Sequence, residues 1–423
     1  MIKKQIGSLK TSVVYNFFDT LLLTLLIFSG GSLLFVFHRN LFSVILLLVA
    51  LFSILFLGQQ IKKSVFNASF FTLILFSSLI LLNYILANPD HKFLKYGFHL
   101  MNLTSCILIL VHFKNNRTSK YFLSKVRHIL RVVLYFSIFN FLAYFFIKDS
   151  LFPSYGGWND EYVVDTFKYV FFYNLEKPTF NFFGIELVRN QGWFWEPGVN
   201  QVYLNILLYL EGFVFKRGKW IIPLIILAII TTYSTTGIFI MMIVLIPLFI
   251  KFIKRNPLLY IILGLLIIYP LFRIAQTNFE DKSSDNVSSM NKRIFDLVQP
   301  LMIAVDHPFT GVGLDIEQFQ KYRSEYFLDD DTQSLLAVQN TQKGSTNSVT
   351  FLVAATGFPI SLFLIYCLFK QNLFTHRKEV FMSIIFISVL SEPLLLRPFF
   401  LILIVSGMFL FLSRFTNHRK KMV

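Results

Sequence analysis

The sequence predicts an all-α fold: a polytopic transmembrane helical bundle of about 12 spans with two large outer loops. Three observations carry this expectation. Of 423 residues, 55% are apolar and only 15% are charged, with a mean hydropathy of +0.62, a balance that places the chain among integral membrane proteins. Apolar runs of spanning length, about 20 residues each, recur about twelve times. The 39 basic residues, set against 23 acidic ones, gather in short clusters between those runs. In a membrane protein such clusters signal orientation rather than nucleic-acid binding.

In chain order, the runs at 18–37, 41–58, 65–87, 94–113 and 128–147 form an N-terminal membrane region, 1–147. Those at 199–215, 219–233, 236–252 and 257–272 form a central region, 199–272, and those at 347–369, 379–396 and 398–413 a C-terminal region with its tail, 347–423. The segments 148–198 and 273–346 are the two large loops. Lys3, Lys4 and Lys10 precede the first run without a small-residue cleavage site, so that run is expected to stay as a span. Cys106 and Cys367, the only cysteines, lie inside runs, which points to neither a disulfide framework nor a thiolate metal site.

Alternate loops hold Lys62 and Lys63, then Lys114, Arg117, Lys120, Lys125 and Arg127, then Lys216, Arg217 and Lys219, then Lys251, Lys254 and Arg255, then Lys370, Arg377 and Lys378. The positive-inside rule puts these in the cytoplasm together with both termini. The opposite short loops hold Arg39, Lys92, Lys95 and Arg397, and the two large loops fall on that outer side. They carry 18 of the 23 acidic residues, seven in the first and eleven in the second, and are rich in aromatic residues, which disordered segments avoid.

The first loop ends in Arg189, Gly192, Trp193, Phe194, Trp195, Glu196, Pro197 and Gly198. Arg189 offers a planar fork of donors suited to phosphate oxygens. Glu196 can take a proton or hold the arginine, and Trp193 and Trp195 have flat faces on which sugars stack. The same residues also suit an interfacial aromatic belt with a snorkelling arginine. In the second loop, Ile294, Leu297, Val298, Leu301, Met302 and Val305 recur at helical spacing, which sets Arg293 near the start of an amphipathic helix ended by Pro308, Gly311 and Gly313. Arg293 is a second candidate phosphate ligand or a surface arginine. Asp306 and His307 stand at that helix end.

Thr346, Asn347 and Ser348 open the tenth span, with nine residues between Asn347, a good helix cap, and Gly357. Asp19 and Glu211 are expected to snorkel at cytoplasmic helix ends, and Glu392 with Arg397 to form an ion pair near the outer face. The scattered histidines do not suggest a zinc site, the run Asp329, Asp330 and Asp331 reads as a solvated acidic stretch, and no nucleotide-binding Gly-Lys-Ser/Thr loop occurs.

Through Arg189, the run from Gly192 to Pro197, then Arg293 ahead of His307, Pro308, Phe309, Thr310, Gly311, Val312 and Gly313, the chain resembles the bacterial O-antigen ligase and Wzy-type polymerase superfamily. The likeness covers roughly 185–370; the first five spans match in hydropathy alone. It implies metal-independent glycosyl transfer, without a cofactor, on the outer face of the bacterial inner membrane. The donor is a glycan linked to undecaprenyl pyrophosphate and the acceptor a sugar hydroxyl, in making O-antigen, capsule or exopolysaccharide. Arg189, Glu196 and Arg293 then carry the catalytic roles, and Trp193, Trp195, His307 and Asn347 bind substrate. The bilayer, a flippase and a chain-length regulator are the further expected partners, and no nucleic acid is. In the ligases Asn347 would be preceded by a catalytic histidine; here Thr346 stands there, so polymerisation is the expected activity and ligation its alternative. A lipid-linked-sugar transporter is the reading from another class; it calls for internal repeats and broken helices, neither of which the sequence displays.

Overall fold

A computed structural model describes residues 2–56, 60–87, 92–156, 162–175, 180–182, 185–216, 220–253, 287–323, 326 and 345–419. It is mostly helical. In chain order the helices are α1 (Ile2–Phe28), α2 (Leu33–Phe37), α3 (Arg39–Leu55), α4 (Lys63–Leu86), α5 (Phe93–Asn116), α6 (Ser119–Ile147), α7 (Pro197–Tyr209), α8 (Ile221–Thr231), α9 (Thr235–Ile253), α10 (Val287–Asp306), α11 (Ile316–Arg323), α12 (Ser348–Phe369), α13 (Lys378–Ser391) and α14 (Pro398–Arg419). Among the described residues, α4, α5, α6 with its continuation to Ser150, and α12 are long and apolar enough to cross a membrane, and five further apolar helices are shorter. Leu48, Phe70, Ile85 and Phe139 on the outer helices are each at least 50% exposed. Side chains of this kind, ranged along helices, suit hydrocarbon and not water. The chain is a helical membrane protein. The expected span at 257–272 lies outside the described residues, as does Asp329–Asp331.

All of α7 is buried, packed by α6, α8, α9 and α13. Its polar residues are tied inward: the Asn200 amide donates to Ser137 Oγ at 2.9 Å, and the Asn205 amide to Gln201 Oε1 at 2.9 Å and to the Gly237 carbonyl at 3.2 Å. Gly237 permits this approach, since a Cβ there would stand 2.7 Å from Gln201 Cγ.

Four expectations are corrected. The first span, 18–37, is broken: α1 stops at Phe28, Gly31 takes φ +134°, and Ser32 caps α2 by accepting from the Phe35 amide. The Gly30-Gly31 pair is what releases the helix. Second, α12 is broken at Gly357, whose φ of 73° and ψ of 170° belong to a region only glycine occupies. Broken helices are therefore present although the apolar pattern runs straight through both.

Third, the first large loop is folded, so the chain is not purely α-helical. Strands β1 (Phe152–Gly156), β2 (Tyr162–Phe167) and β3 (Phe171–Tyr173) form an antiparallel sheet, and β4 (Phe180–Phe182) pairs with β5 (Ile185–Leu187). The run of Val163, Val164, Thr166 and Phe167 favours extended backbone. Lys168 and Tyr169, both at positive φ, make the tight turn into β3, closed by the Val170 amide on the Phe167 carbonyl. The Tyr173 hydroxyl donates to the Asn140 carbonyl at 2.7 Å and fastens this sheet to α6.

Fourth, Asp19 and Glu211 do not snorkel; both are fully buried. Asp19 accepts from Arg117 Nε at 2.7 Å and from the Tyr121 hydroxyl at 2.8 Å, and lies 2.7 Å from His112 Nε2. Glu211 accepts from Arg127 Nε at 2.8 Å, Arg127 Nη2 at 3.0 Å and Arg131 Nε at 2.6 Å. The reason is that α5 runs on to Asn116 and α6 begins at Ser119 rather than 128, so that His112, Arg117 and Tyr121 stand against α1, and Arg127 and Arg131 stand against the chain just beyond α7. A buried carboxylate needs such paired donors to offset its lost hydration.

Candidate functional site

The end of the bundle that carries both large loops is held together by loop segments docked into helix breaks. The Leu33 amide donates to the Trp193 carbonyl at 2.9 Å and the Trp195 amide to the Gly31 carbonyl at 3.2 Å, so the stretch before Glu196 lies strand-like against the break between α1 and α2. Glu196 is the N-cap of α7. Its carbonyl accepts the first helical bonds while its side chain makes no capping bond, and Pro197 follows at the first helical position.

Glu392 reaches the same place from the far end of the chain. A Cβ on Gly198 would collide with its carboxylate Oε1, so only a glycine lets Glu392 lie against the first turn of α7, where a negative charge is favoured. The turn that carries Glu392 is fixed by Ser348 at the start of α12: its hydroxyl donates to the Val389 carbonyl at 2.6 Å and the Glu392 carbonyl at 3.0 Å and accepts from the Leu395 amide at 3.3 Å. Arg397, at the end of that turn, stands over two rings, 4.8 Å from the centre of Trp195 and 4.9 Å from that of Phe35. Arg39 stands 4.0 Å over Phe98 and is near enough to Arg397 to oppose its charge. Burial first, and then Arg39, lower the pKa of the Arg397 guanidinium from its ordinary value. Guanidinium resists deprotonation, so both side chains keep their charge at this end of the bundle.

The other expected residues are placed as follows. Arg189 is half-buried beside the turn between α8 and α9, its Nε donating to the Thr232 carbonyl at 3.2 Å. Trp193 stacks on Phe136 at 3.8 Å and packs 5.4 Å from Phe28, so one of its faces is covered. Trp195 is only 7% exposed and acts as a support for Arg397. Arg293 lies in α10, with its side chain outside the described residues. His307 ends beyond α10 with its ring 5.1 Å from Tyr322, while the Asp306 carboxylate accepts from the Tyr326 hydroxyl at 2.5 Å. Asn347 caps α12, its side-chain oxygen accepting from the Val349 and Thr350 amides at 3.1 Å each.

A second charged centre was not anticipated from the sequence. Asp296 of α10 is buried, forms an ion pair with buried Arg323 of α11, and accepts at its other oxygen from the Thr346 amide at 3.1 Å and the Thr346 hydroxyl at 2.7 Å. Its carbonyl accepts from Ser345 Oγ at 2.9 Å and Thr350 Oγ1 at 3.1 Å. Gln299 completes the knot, accepting from Arg323 Nε at 2.6 Å. Asp296 thus binds α10 and α11 to the start of α12. Among the described residues no group of three or more His, Cys, Asp or Glu side chains is placed to hold a metal.

No family model matches the chain, and no curated protein matches it.

Proposed function

We propose that this protein is a polymerase of polyprenyl-pyrophosphate-linked oligosaccharide units, working on the outer face of a bacterial inner membrane through a twelve-span topology with both termini inside. The observation that carries the reading is the gathering of Glu196, Glu392, Arg39 and Arg397 at the loop-bearing end of an otherwise apolar bundle. Intramembrane and membrane-end charges drawn from distant parts of a chain mark a site of function. In the reaction, the acceptor hydroxyl oxygen bonds to the anomeric carbon of the donor and the bond from that carbon to the pyrophosphate oxygen breaks. The hydroxyl proton passes to a carboxylate, for which Glu196, at the start of α7, is suited. The lipid pyrophosphate leaves with the bond's electron pair. Arg189 and Arg293 neutralise its growing charge, the kind of preorganised electrostatics that lowers such barriers most.

Ligation at the same site is disfavoured by Thr346. A hydroxyl cannot replace imidazole as a base near neutral pH, and this one donates to Asp296. One observation favours a transporter instead: α1–α2 and α12 are discontinuous, as in many carriers. Deletion of the gene separates the three. Polymerisation predicts single repeat units on the final acceptor or on the lipid. Ligation predicts long polymer stranded on the lipid, and transport predicts lipid-linked units trapped inside. With the gene present, Arg189→Lys and Arg293→Lys, which keep charge but lose the bidentate fork, are expected to give the deletion phenotype at normal membrane abundance. Near-normal polymer from both would sink the roles given to these arginines.

A further inference from the structure

Every residue of α7 is buried, yet the helix carries amide side chains into the apolar bundle. Gln201 and Asn205 stand one turn apart on the face it turns to α9. Three oxygens surround the Asn205 amide nitrogen: Gln201 Oε1 at 2.9 Å, the Gln201 carbonyl at 3.0 Å and the Gly237 carbonyl at 3.2 Å. They fix which atom of that amide is the nitrogen, and its oxygen is left outside this contact. Among the described residues, Asn205 Oδ1 and Gln201 Nε2 have no hydrogen-bond partner, and neither has the Ser388 hydroxyl of α13. All three residues are fully buried. Two contacts set the register of α13 on α7: Glu392 lies against Gly198, and Phe381 packs on Tyr209 with ring centres 5.4 Å apart. The two helices run antiparallel, so Ser388, one turn before Glu392, is level with Gln201 and Val202, about one turn beyond Gly198.

We infer that α7, α9 and α13 enclose a binding site for internal water, held by Gln201 Nε2, Asn205 Oδ1 and Ser388 Oγ. A buried donor or acceptor without a partner carries the whole cost of its lost hydration, and such groups are ordinarily satisfied by protein or by ordered water. The chemistry of the three atoms selects the ligand. Gln201 Nε2 can only donate and repels a cation, Asn205 Oδ1 can only accept and repels an anion, and the Ser388 hydroxyl does either. Water donates and accepts in one neutral molecule, and an internal water takes about three such partners. Space selects it as well, because α9 packs so closely here that a Cβ on Gly237 would stand 2.7 Å from Gln201 Cγ, which leaves room beside these amides for a small ligand alone. The site lies one turn inward of Glu392, so it hydrates the bundle directly beneath the charged cluster. It stands independently of the polymerase reading.

The test is X-ray radiolysis of the full chain in nanodiscs, read by peptide mass spectrometry. A short pulse makes hydroxyl radicals from water where it is bound, and they oxidise adjacent side chains that bulk solvent does not reach. Ile385 of α13 and Met241 of α9, both fully buried and each about one turn from Ser388 or Gly237, are the reporters. Ile109 of α5 and Met408 of α14, equally buried in the apolar core, are the matched controls. Oxidation of both reporters well above their controls is expected in the unaltered protein. Reporters oxidised no more than the controls would overturn the site, and that comparison needs no variant to fold. Gln201→Met combined with Asn205→Leu replaces both amides by apolar side chains of similar size and is expected to bring the reporters down to the controls. Reporters that stay oxidised would assign the water to other side chains and overturn this placement. Ser388→Ala is expected to lower the thermal midpoint, since the water loses a partner. An unchanged or raised midpoint, the result of removing an unpaired hydroxyl, would overturn the part given to Ser388.

Discussion

Replacing Asp296 by Ala should loosen the second large loop far more than a surface change would. The substitution leaves Arg323 buried without its carboxylate and leaves the Thr346 amide and hydroxyl without their acceptor. Removing one member of a buried pair costs about 3–5 kcal/mol. Because α10 and α11 pack mainly on α12 and on each other, the loss should appear as local opening of that unit and not as collapse of the bundle. At about 1.4 kcal/mol per factor of ten, the open population rises by roughly two to four orders of magnitude. Hydrogen exchange in nanodiscs measures it directly, through the amides of Ile316–Arg323 and Ser348–Thr350. The double variant Asp296→Ala, Arg323→Met should recover part of the protection, since no buried charge is then stranded. Exchange in these segments within about threefold of the wild type would refute the claim that Asp296 holds the unit together.

Three other outcomes follow from particular contacts. Gly357→Ala should cost at least the ~1–3 kcal/mol of backbone strain, because its Cβ would also stand 2.5 Å from the Phe309 carbonyl carbon, while Gly97→Ala, within α5 and with open space around it, should stabilise by up to about 1 kcal/mol in the same thermal-stability assay. Hydrogen bonds from Lys92 and then Lys95 hold the Glu317 carboxyl below its ordinary value. Its contribution to docking α11 on α5 should thus be complete above about pH 4.3 and fade as pH falls through the lower folded value; protection of α11 followed from pH 6 to pH 3 should lose that acid sensitivity in Glu317→Gln. Thr346→Ser, which keeps the hydroxyl on Asp296, should support full polymer, and Thr346→Ala should lower stability by about 1–3 kcal/mol without a change in the pH profile of activity; a shifted profile would assign Thr346 a chemical role.

The long apolar helices α4, α5, α6 and α12 were legible because a helix that crosses hydrocarbon needs about 20 apolar residues in a row. Asn347 was legible as a cap, since a cap is a local pattern. The breaks at Gly30-Gly31 and Gly357 were not, because leucine- and phenylalanine-rich sequence continues on either side of each and only the φ values separate them. Asp296 and Arg323 lie 27 residues apart on two helices of a loop, with no spacing rule to connect them. The closeness of Arg39, Arg397 and Glu196 depends on bringing the first, seventh and last parts of the bundle together, which is a property of packing. Alternation of valine, threonine and phenylalanine near 163–167 was a readable strand signal, obscured by the expectation that a membrane protein's loops join helices and nothing else.

The two breaks explain how the loops come to matter. Within hydrocarbon or at its edge, an interrupted helix leaves amides and carbonyls that must find partners. At the first break they find Trp193 and Trp195; at the second, the Val312 and Gly313 amides donate to the Ala354 and Ala355 carbonyls at 2.9 Å each, and the Phe358 amide donates to the Pro308 carbonyl at 2.8 Å. Each large loop thus sends one segment into one broken helix, strand-like in the first loop and turned in the second. The pairing fills the break with protein, where a transport pathway would need the freed backbone groups to line a passage. It also fixes Trp195, and through it Arg397, at the start of α7, so that the interruption of α1 is what permits the charged cluster to form.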